Sequence, residues 1–378
     1  MNKEAPKGWN LVNFDSFFTV LSSKKYQVQK QDYLEKGLVP VVDQGQKLII
    51  GYTDDVSKKF NKNNVIIFGD HTRIVKYIDF DFAVGADGTQ ILETKDGIDL
   101  KFGYYQLLNK NIPDTGYNRH FKYVKAEKYV IPPTLAEQQE IVQVLDTMSN
   151  IIRLREECIS HAQDLIPVLF QEMFKPYANS TKTALNNLFE FKSGGTPSKQ
   201  VEEYFQGDIP WITTVALNKL FIGKEDANEL ITEEAIQKSA TKLIPANSLL
   251  FGTRVGIGKL AINTVPMCTN QDIVAMIPFE NNNLNLVYAY WYLKQINNFF
   301  VANGRGATIQ GITTHLVRST EIILPPLKVQ EQFAQKVIEI ESYIKEQQEE
   351  LENAKQMFQS LLHHAFTGEL TRRAYGKN

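Results

Sequence analysis

The 378-residue chain is poor in cysteine: Cys158 and Cys268 are its only two, far apart and in unrelated contexts. Two thiols make neither a disulfide framework nor a tetrahedral zinc site, so the chain reads as one kept in a reducing, cytoplasmic compartment. Long apolar runs are missing as well. No window approaches the roughly 18 consecutive apolar residues that a membrane span needs, and residues 1–9 carry Lys, Glu and Pro without the apolar stretch of a signal peptide. There is no excess of either charge: 41 Lys+Arg face 43 Asp+Glu, for a net −2. The distribution is uneven. Residues 1–131 hold 19 basic and 16 acidic side chains, 132–175 hold 3 and 7, 176–324 hold 12 and 12, and 325–378 hold 7 and 8. The two long segments are neutral to basic and the two short ones acidic, so any phosphate contact would come from local patches on the long segments.

Catalytic signatures are lacking too. GTRVGIGKL at 252–260 has neither the first glycine of a phosphate-binding loop nor a Ser or Thr after its lysine. GRGATIQG at 304–311 lacks the third glycine of a dinucleotide fingerprint. Among the six histidines, His363 and His364 are adjacent and splay apart on a helix, and the others are scattered, so none has metal-ligand spacing. Both Pro-Pro pairs lack the preceding Asn/Asp and following Tyr used by amino-methyltransferases. A non-catalytic binding module, with no metal and no cofactor of its own, is the reading that remains.

What the chain does have is an internal repeat at an offset of about 192. Residues 133–174 match 325–366: Pro133, Leu135, Gln138, Ile152, Glu157, Ala162 and Phe174 meet Pro325, Leu327, Gln330, Ile344, Glu349, Ala354 and Phe366. Apolar residues recur in alternating steps of four and three, from Ile141 through Leu145, Met148, Ile152, Ile159, Ala162, Ile166 and Leu169 to Met173. The second copy runs from Phe333 through Val337, Ile340, Ile344, Leu351, Ala354, Phe358 and Leu361 to Ala365. This is a coiled-coil seam, interrupted once in each copy by Arg155 and Gln347. Those two either set register or snorkel to solvent. Each copy predicts a helix of about 40 residues, roughly 60 Å long at 1.5 Å per residue, opening after its Pro pair; the second ends at Thr367-Gly368. A two-stripe helix needs a partner, and the two are expected to pair with each other, antiparallel. Pro167 should kink the first or cost it a backbone bond near Gln163.

The preceding segments match in order: Val39-Pro40-Val41 with Ile209-Pro210-Trp211, Ile67-Phe68-Gly69 with Leu250-Phe251-Gly252, Lys76 with Lys259, Tyr104 with Tyr288, and 87–90 with 269–272. Residues 47–52, 64–68, 249–251 and 273–277 read as strands and 284–300 as helix. The expected fold class is mixed α/β (α+β), a pseudo-two-fold tandem repeat: globular domain 1–131, helix 132–175, globular domain 176–324, helix 325–378.

PPTLAEQQEIV at 132–142, FKSGGTPSK at 191–199, DIPWITT at 208–214, IPANSLLFGTRVGIGKLAI at 244–262, TNQD at 269–272, GRGATIQGIT at 304–313, LPPLKVQEQF at 324–333 and AFTGEL at 365–370 resemble, in their order and duplication, the specificity subunits of type I restriction-modification systems. QDYLEKGLVPVV at 31–42 and GYTDD at 51–55 carry a more diverged first copy. The resemblance implies two target-recognition domains entering the major groove of two different half-sites of double-stranded DNA, with the helices as spacer. It also implies two methyltransferase subunits docked on those helices and possible motor-nuclease subunits. S-adenosylmethionine and ATP would belong to those partners.

Candidate DNA contacts are polar or basic residues beside glycines in loops, since glycine lets backbone approach phosphate and amides read bases. In the first domain they are Ser22, Ser23, Lys24, Lys25, Gln44, Gln46, His71, Arg73, Arg119 and His120. In the second they are Lys192, Ser193, Thr196, Lys199, Thr253, Arg254, Arg305, Thr308 and Gln310. Pro210 and Trp211 read as structural. The rivals to a DNA-specificity role are a coiled-coil scaffold that binds proteins only and a nuclease whose site has no recognised motif.

Overall fold

The computed structural model describes residues 5–62, 64–85, 88–280, 283–306 and 310–370. They form two compact units, one of residues 1–157 with 348–378 and one of residues 158–347. Both divisions fall inside a long helix, Leu135–Phe174 or Leu327–Ala365, so each unit holds part of both helices.

In the first unit an antiparallel sheet runs in the order Phe18–Leu21, Thr89–Thr94, Val65–Gly69, Val75–Ile78. A second sheet places Ala83–Gly85 parallel to Val39–Val42, which pairs antiparallel with Gly51–Thr53. A ribbon of Asn10–Asn13 and Lys128–Ile131 closes the domain and leads into the central helix. The second unit repeats this order: Phe189–Ser193, Ile273–Pro278, Leu249–Gly252, Leu260–Asn263. Its smaller sheet likewise sets Cys268–Thr269 parallel to Ile209–Ile212, which pairs antiparallel with Glu229–Ile231, and Lys182–Ala184 pairs with Glu321–Ile323. The mixed α+β repeat read from the sequence is therefore present, with two strands unmatched: Gln27–Val28 beside Ala83–Gly85 in the first unit and Phe221–Ile222 beside Leu260–Asn263 in the second.

Three of the pairings drawn from sequence shift by two residues; Gln90 faces Phe68 as Val274 faces Phe251, so Gln90 meets Val274 rather than Asp272. Phe68 faces Val75 and Phe251 faces Leu260, so Ala261, not Lys259, holds the place of Lys76. Asp99 and Asn285 cap equivalent helices, Leu100–Leu108 and Leu286–Gln295, which sets Tyr104 against Tyr290 and Phe102 against Tyr288. Residues 47–50, read as strand, form a turn, and the strand is confined to Gly51–Thr53.

The long helices form where the periodicity places them. The central one opens on a capping box, with Glu137 N–H donating to Thr134 Oγ1 at 3.2 Å and Thr134 N–H to the Glu137 carboxylate at 3.3 Å. It continues through Pro167, which supplies no N–H to the Gln163 carbonyl. The C-terminal helix stops before Gly368, whose φ of +74° suits glycine. Every seam position is buried or half-buried. Within the first unit, Ile141 and Leu145 share a core with Leu362 and Ala365, and Arg155 and Glu156 pair with Glu350 and Lys355. Within the second, Ile166 and Phe170 share a core with Phe333 and Val337. Low numbers on one helix meet high numbers on the other, which is antiparallel pairing. Arg155 thus makes an ion pair across the seam, as a register-setting residue does. In the second unit the apolar stripe widens where Phe170 and Phe174, at the end of the central helix, and Ala334, near the root of the C-terminal one, join the domain core.

Each helix root carries a buried glutamine. Gln138 accepts from the Asp99 N–H at 2.8 Å and donates to the Gly97 carbonyl at 3.2 Å. Gln330 accepts from the Asn285 N–H at 2.9 Å and donates to the Asn283 and Pro325 carbonyls. Leaving such groups unpaired costs ~1–3 kcal/mol each. Gln330→Leu should therefore lower the stability of the second unit by about 2–4 kcal/mol, read by urea unfolding through buried Trp211 and Trp291. A loss below about 1 kcal/mol would show that water replaces the amide.

Candidate nucleic-acid interface

The turns after Val65–Gly69 and Leu249–Gly252, the equivalent inner strands of the two units, are built by the same backbone bonds. Asp70 N–H donates to Gly88 O at 2.7 Å, and Asp70 O accepts from His120 N–H at 2.7 Å. Thr253 N–H donates to Asp272 O at 2.8 Å, and Thr253 O accepts from Ile312 N–H at 2.9 Å. The turn closes when Arg73 N–H reaches Gly69 O at 2.8 Å, or Gly258 N–H reaches Gly252 O at 2.9 Å. Arg73 and Gly258 both take left-handed backbone, with φ of +63° and +79°. The second turn is two residues longer. Asp70 and Thr253 are thus equivalent, and so are the next residues, His71 and Arg254.

A second loop lies against each turn. In the first unit it is 112–120, held by the Arg73 guanidinium through Asp114 at 2.6 Å and the Ile112 carbonyl at 3.3 Å. His71 stacks on Tyr117, with ring centroids 4.7 Å apart and planes 10° apart. In the second unit it includes Arg305, which exchanges two 2.9 Å backbone bonds with Gly311. Gly311 also bridges to Arg254. The turn and loop bring His71, Arg73 and residues 112–120 together in one unit, and Arg254, Arg305 and Gln310 in the other.

The remaining residues singled out from sequence divide by exposure. Ser22, Lys24, Lys25, Gln46, Arg119, Ser193, Thr196, Lys199, Arg254, Arg305 and Gln310 are exposed, and Ser23, Gln44, His71, Arg73 and Lys192 are half-buried. Thr308 lies outside the described residues. Ser22, Lys24 and Lys25 line a surface hollow of about 450 Å³ with Tyr26, Phe60 and Lys62, and the Lys58 ammonium donates to the Lys25 carbonyl at 3.4 Å. Lys62 itself pairs with Glu93. Elsewhere, Thr196 donates to Gln271 at 2.6 Å and Lys199 pairs with Glu229 at 3.0 Å over the Trp211 ring. Trp211 is buried and donates to the Gly195 carbonyl, a structural role.

Two candidates are corrected. His120 is fully buried, its Nδ1 donating to the Asp70 carbonyl at 3.0 Å and its Nε2 accepting from Thr115 N–H at 3.3 Å. Thr253 is also buried, its hydroxyl donating to the Asp272 carbonyl at 3.1 Å. Both are buried and fasten the turn. Gln44 is engaged in the same way, its amide oxygen accepting from His71 N–H at 2.9 Å.

Sequence reasoning passed over Tyr117, 88% exposed at the loop tip, and the lysines at 58 and 62 beside Lys24 and Lys25. The Asp-Thr-Gly turn before Tyr117 was the available signal; the lysines became neighbours only through folding. Buried Lys76 donates to the Asp43 and Lys47 carbonyls, and burial lowers its pKa from the ordinary lysine value. Burial pushes the Cys268 thiol up to about 11, which suits an inert core thiol. Among the described residues no helix is long and apolar enough to cross a membrane, and no cluster of His, Cys, Asp or Glu is set to hold a metal.

Because His120 ties the turn to its loop, His120→Ala should cost about 2–4 kcal/mol. Amides of residues 112–119 should lose hydrogen-exchange protection before the central strands do. Unchanged protection would refute the fastening role.

The family model for the type I restriction modification DNA specificity domain matches residues 6–161 and 178–353. The chain is 29% identical over 341 residues to the type I restriction enzyme EcoR124I/EcoR124II specificity subunit of Escherichia coli, covering 84% of this chain and 81% of that one. It is 22% identical over 410 residues to the putative MjaX specificity subunit of Methanocaldococcus jannaschii, covering 95% and 93%. The fold is similar to the crystal structure of a type I restriction-modification S subunit from M. genitalium, with a TM-score of 0.63, 17% identity and 97% of each chain covered. It is also similar to a chain from a study of complex assembly in the type I system, at TM-score 0.59 and 16% identity, covering 97% and 100%. With duplicated strand order, paired long helices and a family match across both units, the chain belongs to the DNA-specificity subunits of type I restriction-modification enzymes, the non-catalytic component that recognises the DNA sequence.

Proposed function

We propose that this chain reads an asymmetric two-part site on double-stranded DNA, one half with each unit, and leaves the chemistry to its partners. One observation carries the reading: the same turn and loop occur in both units, closed by equivalent backbone bonds, yet they present different side chains. His71 stands where the other unit has Arg254, and the loop beside the turn carries Tyr117 and Arg119 in one unit and Arg305 and Gln310 in the other. A shared frame with unlike tips suits two half-sites of unlike sequence, because each base pair shows a distinct donor and acceptor pattern in the major groove. Exposed Lys24 and Lys25, with Lys58 and Lys62, suit phosphate contact, which positions without reading sequence.

Two methyltransferase subunits would dock on the long helices. Ile151, Leu154, Leu165, Val168, Ile338 and Met357 lie exposed there, which supports such docking. S-adenosylmethionine would be bound by those subunits, and ATP by any motor-nuclease subunit that joins, in the cytoplasm.

Replacing residues 180–320 with those of a relative, in cells co-expressing a cognate methyltransferase, should change one half of the methylated motif and leave the other intact. Mapping methylated adenines in host DNA reads the result; a change in both halves would end the one-unit-per-half reading. Separately, Lys24→Ala with Lys25→Ala should flatten the dependence of log affinity on log salt by roughly one unit per lysine. The enriched sequence should not move.

A further inference from the structure

We infer that the residue two places beyond the strand glycine is a base-reading position in both units: Arg254 reads a guanine, and His71 reads a base that offers an exocyclic amino group. This rests on the DNA-recognition reading and names what each half of the site must contain. The equivalence is structural. Each residue follows one whose N–H and C=O are both fixed, to the start of the neighbouring strand and to the second loop. The frame therefore delivers the two side chains from the same place.

Their chemistry differs in kind. Arg254 is exposed, and no described residue holds its guanidinium. A guanidinium carries donors only, in a fork that fits the two acceptors on the major-groove edge of guanine. His71 is held in one orientation. Its ring stacks on Tyr117, and its Nδ1 lies 3.2 Å from the Asn118 carbonyl. A carbonyl only accepts, so Nδ1 carries a proton, which in the neutral tautomer leaves Nε2 as an acceptor. An acceptor at a major-groove edge selects the amino group of adenine or cytosine and rejects the paired acceptors of guanine. Tyr117, exposed against the same ring, offers an apolar face of the kind that suits a thymine methyl. Arg73, the nearest cation in sequence, is tied to Asp114 and does not compete for this role.

The test is selection from a duplex library with a randomised central segment, using the full-length chain co-purified with its methyltransferase. Wild type should enrich a two-part motif. Arg254→Ala should relax one guanine in one half, with discrimination there falling by roughly 5- to 150-fold, the equivalent of ~1–3 kcal/mol for a bidentate contact. His71→Arg should turn one position of the other half from adenine or cytosine to guanine. His71→Ala, which keeps the backbone bonds of the turn, should relax that same position and serves if the arginine variant fails to fold. A motif unchanged by the Arg254 and His71 variants would overturn the inference while DNA recognition stands. Enrichment of nothing by wild type would bring down the DNA reading itself.

Discussion

The molecule depends on a hydrogen-bonded amide at the root of each long helix. Gln138 and Gln330 sit where a helix leaves its domain, and each satisfies the N–H of a helix-capping residue, Asp99 or Asn285, and a carbonyl two residues before it. A side chain that accepts and donates at once fixes direction as well as contact. Apolar packing of Ile141 or Phe333 alone would tolerate rotation of the helix on the sheet, because hydrophobic attraction has no preferred angle. The buried amide removes that freedom and does so identically in both units. In the second unit the apolar stripe then widens into the domain core, and it narrows again around Arg155, where packing on the domain gives way to packing of helix on helix.

Above that fixed frame the design separates support from readout. His120, Thr253 and the Gln44 amide oxygen are polar groups spent on holding the turn, and Lys76 is spent on the Asp43 and Lys47 carbonyls. They hold still the exposed residues beside them. Such groups resemble ligand-binding residues in sequence because both kinds are polar and both sit beside glycines.

The repeat, the helices and their pairing were legible because periodicity and proline placement report directly on packing and backbone. The interaction of Gln138 with its cap was visible only as an identity with Gln330, since nothing local says that an amide will be buried. The two-residue slips at Lys76 and Tyr104 came from aligning like letters: the longer turn of the second copy displaces the first, the longer link from Pro278 to Asn285 displaces the second, and hydrogen bonds, not residue names, set the match. Among the candidate contacts, exposure separated Arg254 and Arg305 from Thr253 and His120. Burial depends on a loop more than forty residues away in sequence, which no local pattern reveals. The lysines at 24, 25, 58 and 62 likewise meet only through the fold.

The differing length of the two turns has a broader consequence. Each is sealed by backbone bonds at its glycine, so residues inserted at the tip add to an outward bulge and leave the strands in register. A lineage can therefore lengthen, shorten or rewrite this tip without renegotiating the domain beneath it, and, on the proposed reading, new addresses on DNA become reachable by small, independent steps in either copy.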